Sequence, residues 1–173
     1  MNKVFEELLN TYYLYYFQIY RDEAQTHYHQ RQEAFRKAQE AFRQGMKTAA
    51  AYYAHIGNLH SIKLREANQR ASEKILEAQN AHRKDANCLD LHLLHVPEAI
   101  SATQAFLLER QRVLIARGIK QMEVSLITGR GAHSAGGQAV LKPSIKEHLQ
   151  KQGYSFYEAN SGMLRVVLRS KPS

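Results

Sequence analysis

Cys88-Leu89-Asp90-Leu91-His92-Leu93-Leu94-His95 and, further along, Thr128-Gly129-Arg130-Gly131 are the stretches on which the reading of this chain turns. The first is an apolar run carrying an acid and an imidazole two residues apart. On a strand the two share one face, because strand side chains alternate, and a proton-transfer pair is expected there. The second follows another apolar run, Met122 to Ile127, with two glycines flanking an arginine. Backbone N–H groups and a fixed positive charge can then converge on one anion. The two halves together suit phosphodiester chemistry.

Outward from these stretches, the periodicity predicts a short strand over Leu89 to His92 and a helix from Pro97 to about Arg117, stopped by Gly118. Met122 to Thr128 reads as a second strand, followed by a glycine-rich loop from Gly129 to Gly137. Pro143 to Gln152 reads as a second helix closed by Gly153. Tyr154 to Glu158 and Met163 to Leu168 flank Asn160-Ser161-Gly162, a turn signal between two strands. The order is βαβαββ, a small two-layer sandwich whose sheet need not be wholly parallel.

Upstream the pattern changes. From Val4 to Asn87 there is no proline, and only Gly45 and Gly57 interrupt a run rich in Ala, Gln, Glu, Lys and Arg. These are good helix formers. The glycines predict a long helix ending near Gln44, a shorter one over Met46 to Ile56, and a further long one from Asn58 to His82. Ala34, Ala38, Ala41 and Phe42 recur at helical spacing, as do Ile62, Ala67, Ala71 and Ile75, giving each helix one face to bury in a hairpin. The fold class expected is therefore α+β: a long-helix hairpin over 1–86, then the βαβαββ sandwich over 87–173. The cluster Tyr12, Tyr13, Tyr15, Tyr16, Phe17 and Tyr20 is read as a packing face in preference to a stacking platform for bases. His27, His29, His55 and His60 are read as solvated or packed, since His27 and His29 do not share a helix face.

The formal net charge is +8, of which +3 lies up to Cys88 and +5 after it. Such a balance favours a polyanionic partner, because clustered Lys and Arg gain affinity by releasing counterions from phosphates; anionic membrane surfaces are the competing explanation. A single Cys88 forms no internal disulfide, which fits a reducing cytosolic or nuclear setting. No run of ~18 apolar residues or secretion signal is evident, so a cytoplasmic location without membrane insertion is expected. Whether the chain is part of something longer stays open.

The two motifs, with His133-Ser134-Ala135-Gly136-Gly137 and Leu141-Lys142-Pro143, resemble the Smr (small MutS-related) domain over about Leu89 to Leu168. The segment from Tyr20 to Asn80 resembles the helical domain of unknown function that precedes eukaryotic Smr domains, through Ala24, Arg31, Phe35, Ala38, Ala41, Gly45, Ala49, Ala50, Ala67, Asn68 and Ala71. The tandem is similar to the C-terminal part of the NEDD4-binding protein 2 family, endonucleases that cut messenger RNA at stalled or collided ribosomes. The resemblance implies an RNA endonuclease centred on Asp90, His92 and Arg130, with mRNA and the ribosome as partners. Two departures stand out: Leu93 occupies the place of the usual glycine, and Val140 a place where many relatives have arginine.

RNA carries its own nucleophile, the 2′-OH, so cleavage needs a base, an acid and charge stabilisation but no metal. His92 takes the proton-transfer role, worth ~100- to 10,000-fold, with Asp90 orienting it or holding its charged form. Arg130 and the N–H groups of Gly129 and Gly131 stabilise the nonbridging oxygens. His95 and His133 are second-rank proton-transfer candidates. Lys142 and Arg165 are candidate nucleic-acid contacts, Arg165 sharing a strand face with Arg169. No cofactor is expected; a divalent ion on Asp90, His92 and His95 is the minor alternative. A monomer is expected. On spacing alone, a chance Asp-x-His and a plain glycine turn compete with this reading, and a non-catalytic nucleic-acid- or ribosome-binding module or a DNA-nicking endonuclease remain as alternatives.

Overall fold

The computed structural model describes residues 3–130 and 140–170, with side chains from Phe17 onward. The chain divides into two compact units, Met1–Ile75 and Leu76–Ser173.

The first unit is built from two helices, α1 (Lys3–Arg43) and α2 (Lys47–Asn80), whose last turn belongs to the second unit. Between the helices Gly45 adopts φ +76°, Gly45 N–H donates to Phe42 O and Met46 N–H to Ala41 O. This is a Schellman closure, the stop expected near Gln44. The helices are antiparallel partners: Arg21 Nη1 donates to Asn68 Oδ1 at 3.1 Å, Arg70 pairs with Glu23 at 2.7 Å, and the His27 and His60 Nδ1 atoms lie 3.2 Å apart. Their seam is made of small buried residues, Ala24, Ala34, Ala41, Ala50, Ala67 and Ala71, with Phe17 and Ile75. Small side chains let two helix backbones approach closely. Phe42 and Ile62, expected on the buried faces, are exposed.

Gly57 corrects the sequence reading. The expected break there does not occur, and α2 runs through it without interruption. A Cβ at Gly57 would lie 2.8 Å from Phe35 Cε1, so the glycine admits an aromatic ring from α1 and does not end a helix. Of the tyrosine cluster, Phe17 is buried and Lys74 Nζ lies 5.3 Å from the Tyr20 ring centroid. The side chains of Tyr12, Tyr13, Tyr15 and Tyr16 lie outside those described.

The second unit is the sandwich: β1 (Cys88–Asp90), α3 (Val96–Ala116), β2 (Gln121–Ile127), α4 (Leu141–Lys151), β3 (Ser155–Asn160) and β4 (Met163–Arg169). The strands lie in the order β1-β2-β4-β3; β1 and β2 are parallel, and the other pairings antiparallel. Helices α3 and α4 pack on each other, with α3 also on β2 and β4 and α4 on β3, leaving two layers. Leu107 and Leu114 of α3 and Ile145 and Leu149 of α4 are fully buried with Val124, Leu126, Leu164, Val166 and Leu168 of the sheet. Each such side chain contributes ~1.5–3 kcal/mol by leaving water. The strands alternate, so Met163, Arg165, Val167 and Arg169 face away from the helices. Helix α4 begins at Leu141, two residues before the expected Pro143, and Lys142 therefore sits inside its first turn.

Candidate functional site

Strand β1 ends at Asp90, two residues short of the span expected. Leu91 N–H still donates to Ile127 O at 2.8 Å, but the chain then turns, and Leu94 N–H closes back on Leu91 O at 3.2 Å. His92 thus lies in a turn and does not share a strand face with Asp90. The pair meets by another route: Asp90 Oδ1 accepts the His92 backbone N–H at 3.1 Å and lies 2.5 Å from the ring Nδ1. A short acidic side chain that accepts the N–H two residues on is the geometry of an Asx turn, so the same carboxylate shapes the turn and orients the imidazole. Within this turn Leu93 has φ +70°. That left-handed conformation is costly for a side chain with a Cβ, which gives a physical reason for glycine as the usual residue there.

The other side of Asp90 is held by residues that the sequence did not bring forward. Arg83 Nη2 donates to Asp90 Oδ2. Asn80 brackets the Asp90 backbone, accepting its N–H at 2.9 Å and donating to its carbonyl at 3.1 Å, as a neighbouring strand would. Gln79 Nε2 donates to His92 O. The end of α2 and the segment after it therefore fix both the strand end and the turn. Burial pushes the Asp90 carboxyl up, but hydrogen bonds from the His92 ring and backbone, with the charges of His92 and Arg83, outweigh it and hold the carboxyl below its ordinary value. Burial raises the Cys88 thiol, against the opposing charge of Arg83.

The second motif arrives along β2, which is parallel to β1 and places Ile127 opposite Asp90. Thr128 is buried, and its N–H donates to Gly162 O at 2.8 Å. Gly129, at φ +71°, turns the chain so closely over His92 that a Cβ there would stand 3.3 Å from His92 Cβ. Gly162 faces the same loop from the β3–β4 turn: a Cβ there would meet Gly129 C at 3.3 Å and Arg130 Cγ at 3.5 Å. Three backbone segments thus converge, with Asp90, His92 and the Arg130 main chain at one end of the sheet. Arg130 is exposed and makes no ion pair or hydrogen bond among the described residues. Gly131 and His133, both named from the sequence, lie outside the described residues.

The remaining candidates are placed differently. His95 caps the start of α3, its N–H donating to Glu98 Oε2 at 2.9 Å and its Nδ1 lying 3.4 Å from Glu98 Oε1. Lys142 lies in the helix and not ahead of it, with Nζ 2.8 Å from Glu158 Oε2, while Lys146 takes the other oxygen at 2.7 Å. Hydrogen bonds from Lys142 and then Lys146 lower the Glu158 carboxyl to about 2. The Lys142 charge is thus already engaged. Arg165 lies on the sheet face opposite the helices, in register with Ser125 and Tyr157. No group of three His, Cys, Asp or Glu side chains among the described residues is disposed to hold a metal ion. No described helix is long and apolar enough to cross a membrane.

Gln79, Asn80, Arg83 and Gly162 were not legible as site residues. Gln79 and Asn80 read as the polar end of a helix, Arg83 lies just past it, and Gly162 reads as one member of a turn signal. Only their contacts with Asp90, His92 and Gly129 distinguish them.

Comparison with known proteins gives two family matches along the chain. Residues 17–80 match a domain of unknown function, DUF1771, and residues 89–169 match the Smr domain. The chain is 41% identical over 150 residues to NEDD4-binding protein 2 of Homo sapiens, covering 87% of this chain and 8% of that protein. It is 31% identical over 150 residues to Endonuclease NBR9 of Saccharomyces cerevisiae, covering 86% of this chain and 58% of that one. The chain therefore spans less than two thirds of the length of either relative. A solution structure of the B3BP Smr domain shares 39% identity with a TM-score of 0.48, covering 60% of this chain and 98% of that one. The protein carries a DUF1771 domain followed by an Smr domain.

Proposed function

We propose that this protein is an endonuclease that cleaves single-stranded RNA without a metal ion, using the RNA 2′-OH as nucleophile. The observation that carries the reading is the convergence of the two motifs: His92 Nδ1 on Asp90 Oδ1 at 2.5 Å, with Gly129 against the same histidine and Arg130 next in the chain. A relative of this chain is named an endonuclease. Asp90, ionised, accepts a hydrogen bond from His92 Nδ1–H, leaving Nε2 of neutral His92 to take the 2′-OH proton. The 2′-oxygen attacks phosphorus as the bond to the 5′-oxygen breaks, and the departing oxygen takes a proton from solvent or a second acid such as His95. Arg130 and the Gly129 N–H stabilise the nonbridging oxygens, donors whose loss typically costs ~2.7–4 kcal/mol. The products are a 2′,3′-cyclic phosphate and a 5′-OH.

The net charge of +8 supports a nucleic-acid partner. The full reading places the protein in the cytoplasm as a monomer acting on mRNA at stalled or collided ribosomes, with the helical unit as a docking element, Arg165 and Lys142 as outer phosphate contacts, and unit boundaries near 86 and 87. The deciding experiment incubates labelled single-stranded RNA with the chain in EDTA and maps the ends. Cyclic-phosphate products that disappear with a 2′-deoxy substitution at the cut site support the proposal. Products with 3′-OH ends formed only with magnesium reject it. Leu93 at φ +70° favours one second reading, a binding module without turnover, because a leucine stands where the turn over the site accommodates glycine best. Equal inactivity of wild type and His92→Ala with RNA binding retained would select it.

A further inference from the structure

Arg83 lies between the two matched domains, after residue 80 of the first and before residue 89 of the second, so neither domain description includes it. It nevertheless holds the central carboxylate of the candidate site. Asp90 Oδ2 takes Arg83 Nη2, while Oδ1 takes the His92 backbone N–H and faces the ring Nδ1. Arg83 is itself anchored: its N–H donates to Asn80 O at 3.1 Å, and Nη1 lies 3.7 Å from Cys88 Sγ. A carboxylate with separate donors on its two oxygens is not free to rotate, and an ionised carboxylate only accepts hydrogen bonds.

We propose that Arg83 is a positioning residue: its guanidinium locks the Asp90 carboxylate in the orientation that accepts a hydrogen bond from His92 Nδ1–H, so that Nε2 is the nitrogen presented to substrate. Two consequences follow from one contact. The positive charge adds to the hydrogen bonds and charge of His92 that keep Asp90 an anion in a buried setting, and the fixed carboxylate selects a single imidazole tautomer. The Asp90 side chain is only 5% exposed and that of Arg83 31%, so this ion pair is shielded more than a surface pair. The charges that act on Asp90 are those of His92, from the turn, and Arg83, from the segment before β1, and Cys88 on β1 lies within reach of Arg83, Asp85 and Asp90. Arg83 is the cation hydrogen-bonded to Asp90 Oδ2.

The inference depends on the nuclease reading only for its kinetic arm; the spectroscopic arm tests it independently. The full chain is prepared as wild type, Arg83→Met and Arg83→Lys, each checked for folding by the dispersion of its amide spectrum. Long-range proton–nitrogen spectra report the His92 tautomer, and the Asp90 carboxyl carbon shift reports its titration. Wild type is expected to hold the Nδ1–H tautomer. Arg83→Met should give a mixture with Nε2–H and move the Asp90 midpoint upward; Arg83→Lys should restore the midpoint more fully than the tautomer, because it returns the charge without the planar fork.

In cleavage assays Arg83→Met should lower kcat about tenfold with little change in KM, as expected for loss of one charge-assisted hydrogen bond. It should have no further effect in an Asp90→Asn background. A folded Arg83→Met chain that keeps the wild-type tautomer and Asp90 midpoint overturns the proposal. So does a variant that loses RNA affinity with kcat intact, which would make Arg83 a phosphate contact. If the wild-type chain cleaves no RNA, the nuclease reading falls, and the tautomer and midpoint alone support or overturn the role of Arg83. Should Arg83→Met not fold, Arg83→Gln, which retains a donor without the charge, answers the same two spectroscopic questions.

Discussion

Asp90 Oδ1 faces the His92 ring Nδ1 at 2.5 Å and accepts the His92 backbone N–H at 3.1 Å. One oxygen therefore decides both where the backbone goes after β1 and which way the imidazole points. Replacing His92 with Ala should reduce RNA cleavage by ~100- to 10,000-fold, the usual worth of a positioned proton-transfer group. Asp90→Asn should fall in the same range by removing the anion that fixes the tautomer. RNA affinity, measured by fluorescence anisotropy, should change little in either variant. A cleavage rate within twofold of wild type in both would sink the assignment.

The depressed Asp90 carboxyl makes stability depend on pH in a defined direction. An unfolded aspartate titrates near ~3.9, and the folded group lies below its ordinary value. The unfolded state therefore binds the proton first as pH falls. The stabilisation from this group is present in full above the unfolded value and is lost as pH drops through the folded one. Urea midpoints should separate wild type from Asp90→Asn above about pH 5 and converge at strongly acid pH. A separation that widens on acidification contradicts this sign.

Leu93 at φ +70° carries backbone strain that glycine does not. Leu93→Gly should raise stability by ~0.5–1 kcal/mol, and Leu93→Val should lower it, since β-branching makes the left-handed region less accessible still. Equilibrium urea unfolding of the two variants checks the order Gly above Leu above Val. Leu93→Gly falling below wild type would mean that the half-buried side chain contributes more by packing than the turn loses by strain.

Gly57 predicts a change of sign between two backgrounds. In an exposed helix Gly→Ala stabilises by ~1 kcal/mol, but here the new methyl would meet the Phe35 ring at 2.8 Å. Gly57→Ala should lower the thermal midpoint of the wild-type chain and raise it in a Phe35→Ala background. Calorimetry of the four proteins in this cycle gives the coupling directly. Additive effects would show that the ring swings aside at no cost.

Glu158 pairs with both Lys142 and Lys146, at 2.8 and 2.7 Å. Glu158→Gln should free two ammonium groups and tighten RNA binding severalfold at low salt, with a steeper dependence of affinity on salt concentration. Anisotropy titrations across a salt series read both. An unchanged slope would leave these lysines outside the nucleic-acid track.

How much of this was legible follows from what each signal encodes. Hydrophobic period, turn residues and helix-stopping glycines are local, so the βαβαββ order, the Gly45 closure and the Asn160-Ser161-Gly162 turn could be read along the chain. Asp90, His92 and Arg130 could be named because two short motifs kept acid, imidazole and guanidinium in a recognisable order. What the motifs could not convey was how Asp90 and His92 meet. The strand ends at Asp90, and an Asx turn does what strand alternation was expected to do.

Gly57 looked like a helix stop because a glycine's backbone freedom is visible in sequence, whereas the ring packed against it is not. The supports of the site belong to the same class. Asn80, Arg83 and Gly162 are a helix end, a linker and a hairpin turn by local criteria. Their roles come from contacts closed across the chain, at Asp90 and Gly129. Sequence determined the elements and named the candidate reactive groups because both are written in neighbouring residues. Tertiary structure alone decided which oxygen faces which donor, because that depends on where distant backbone segments come to rest.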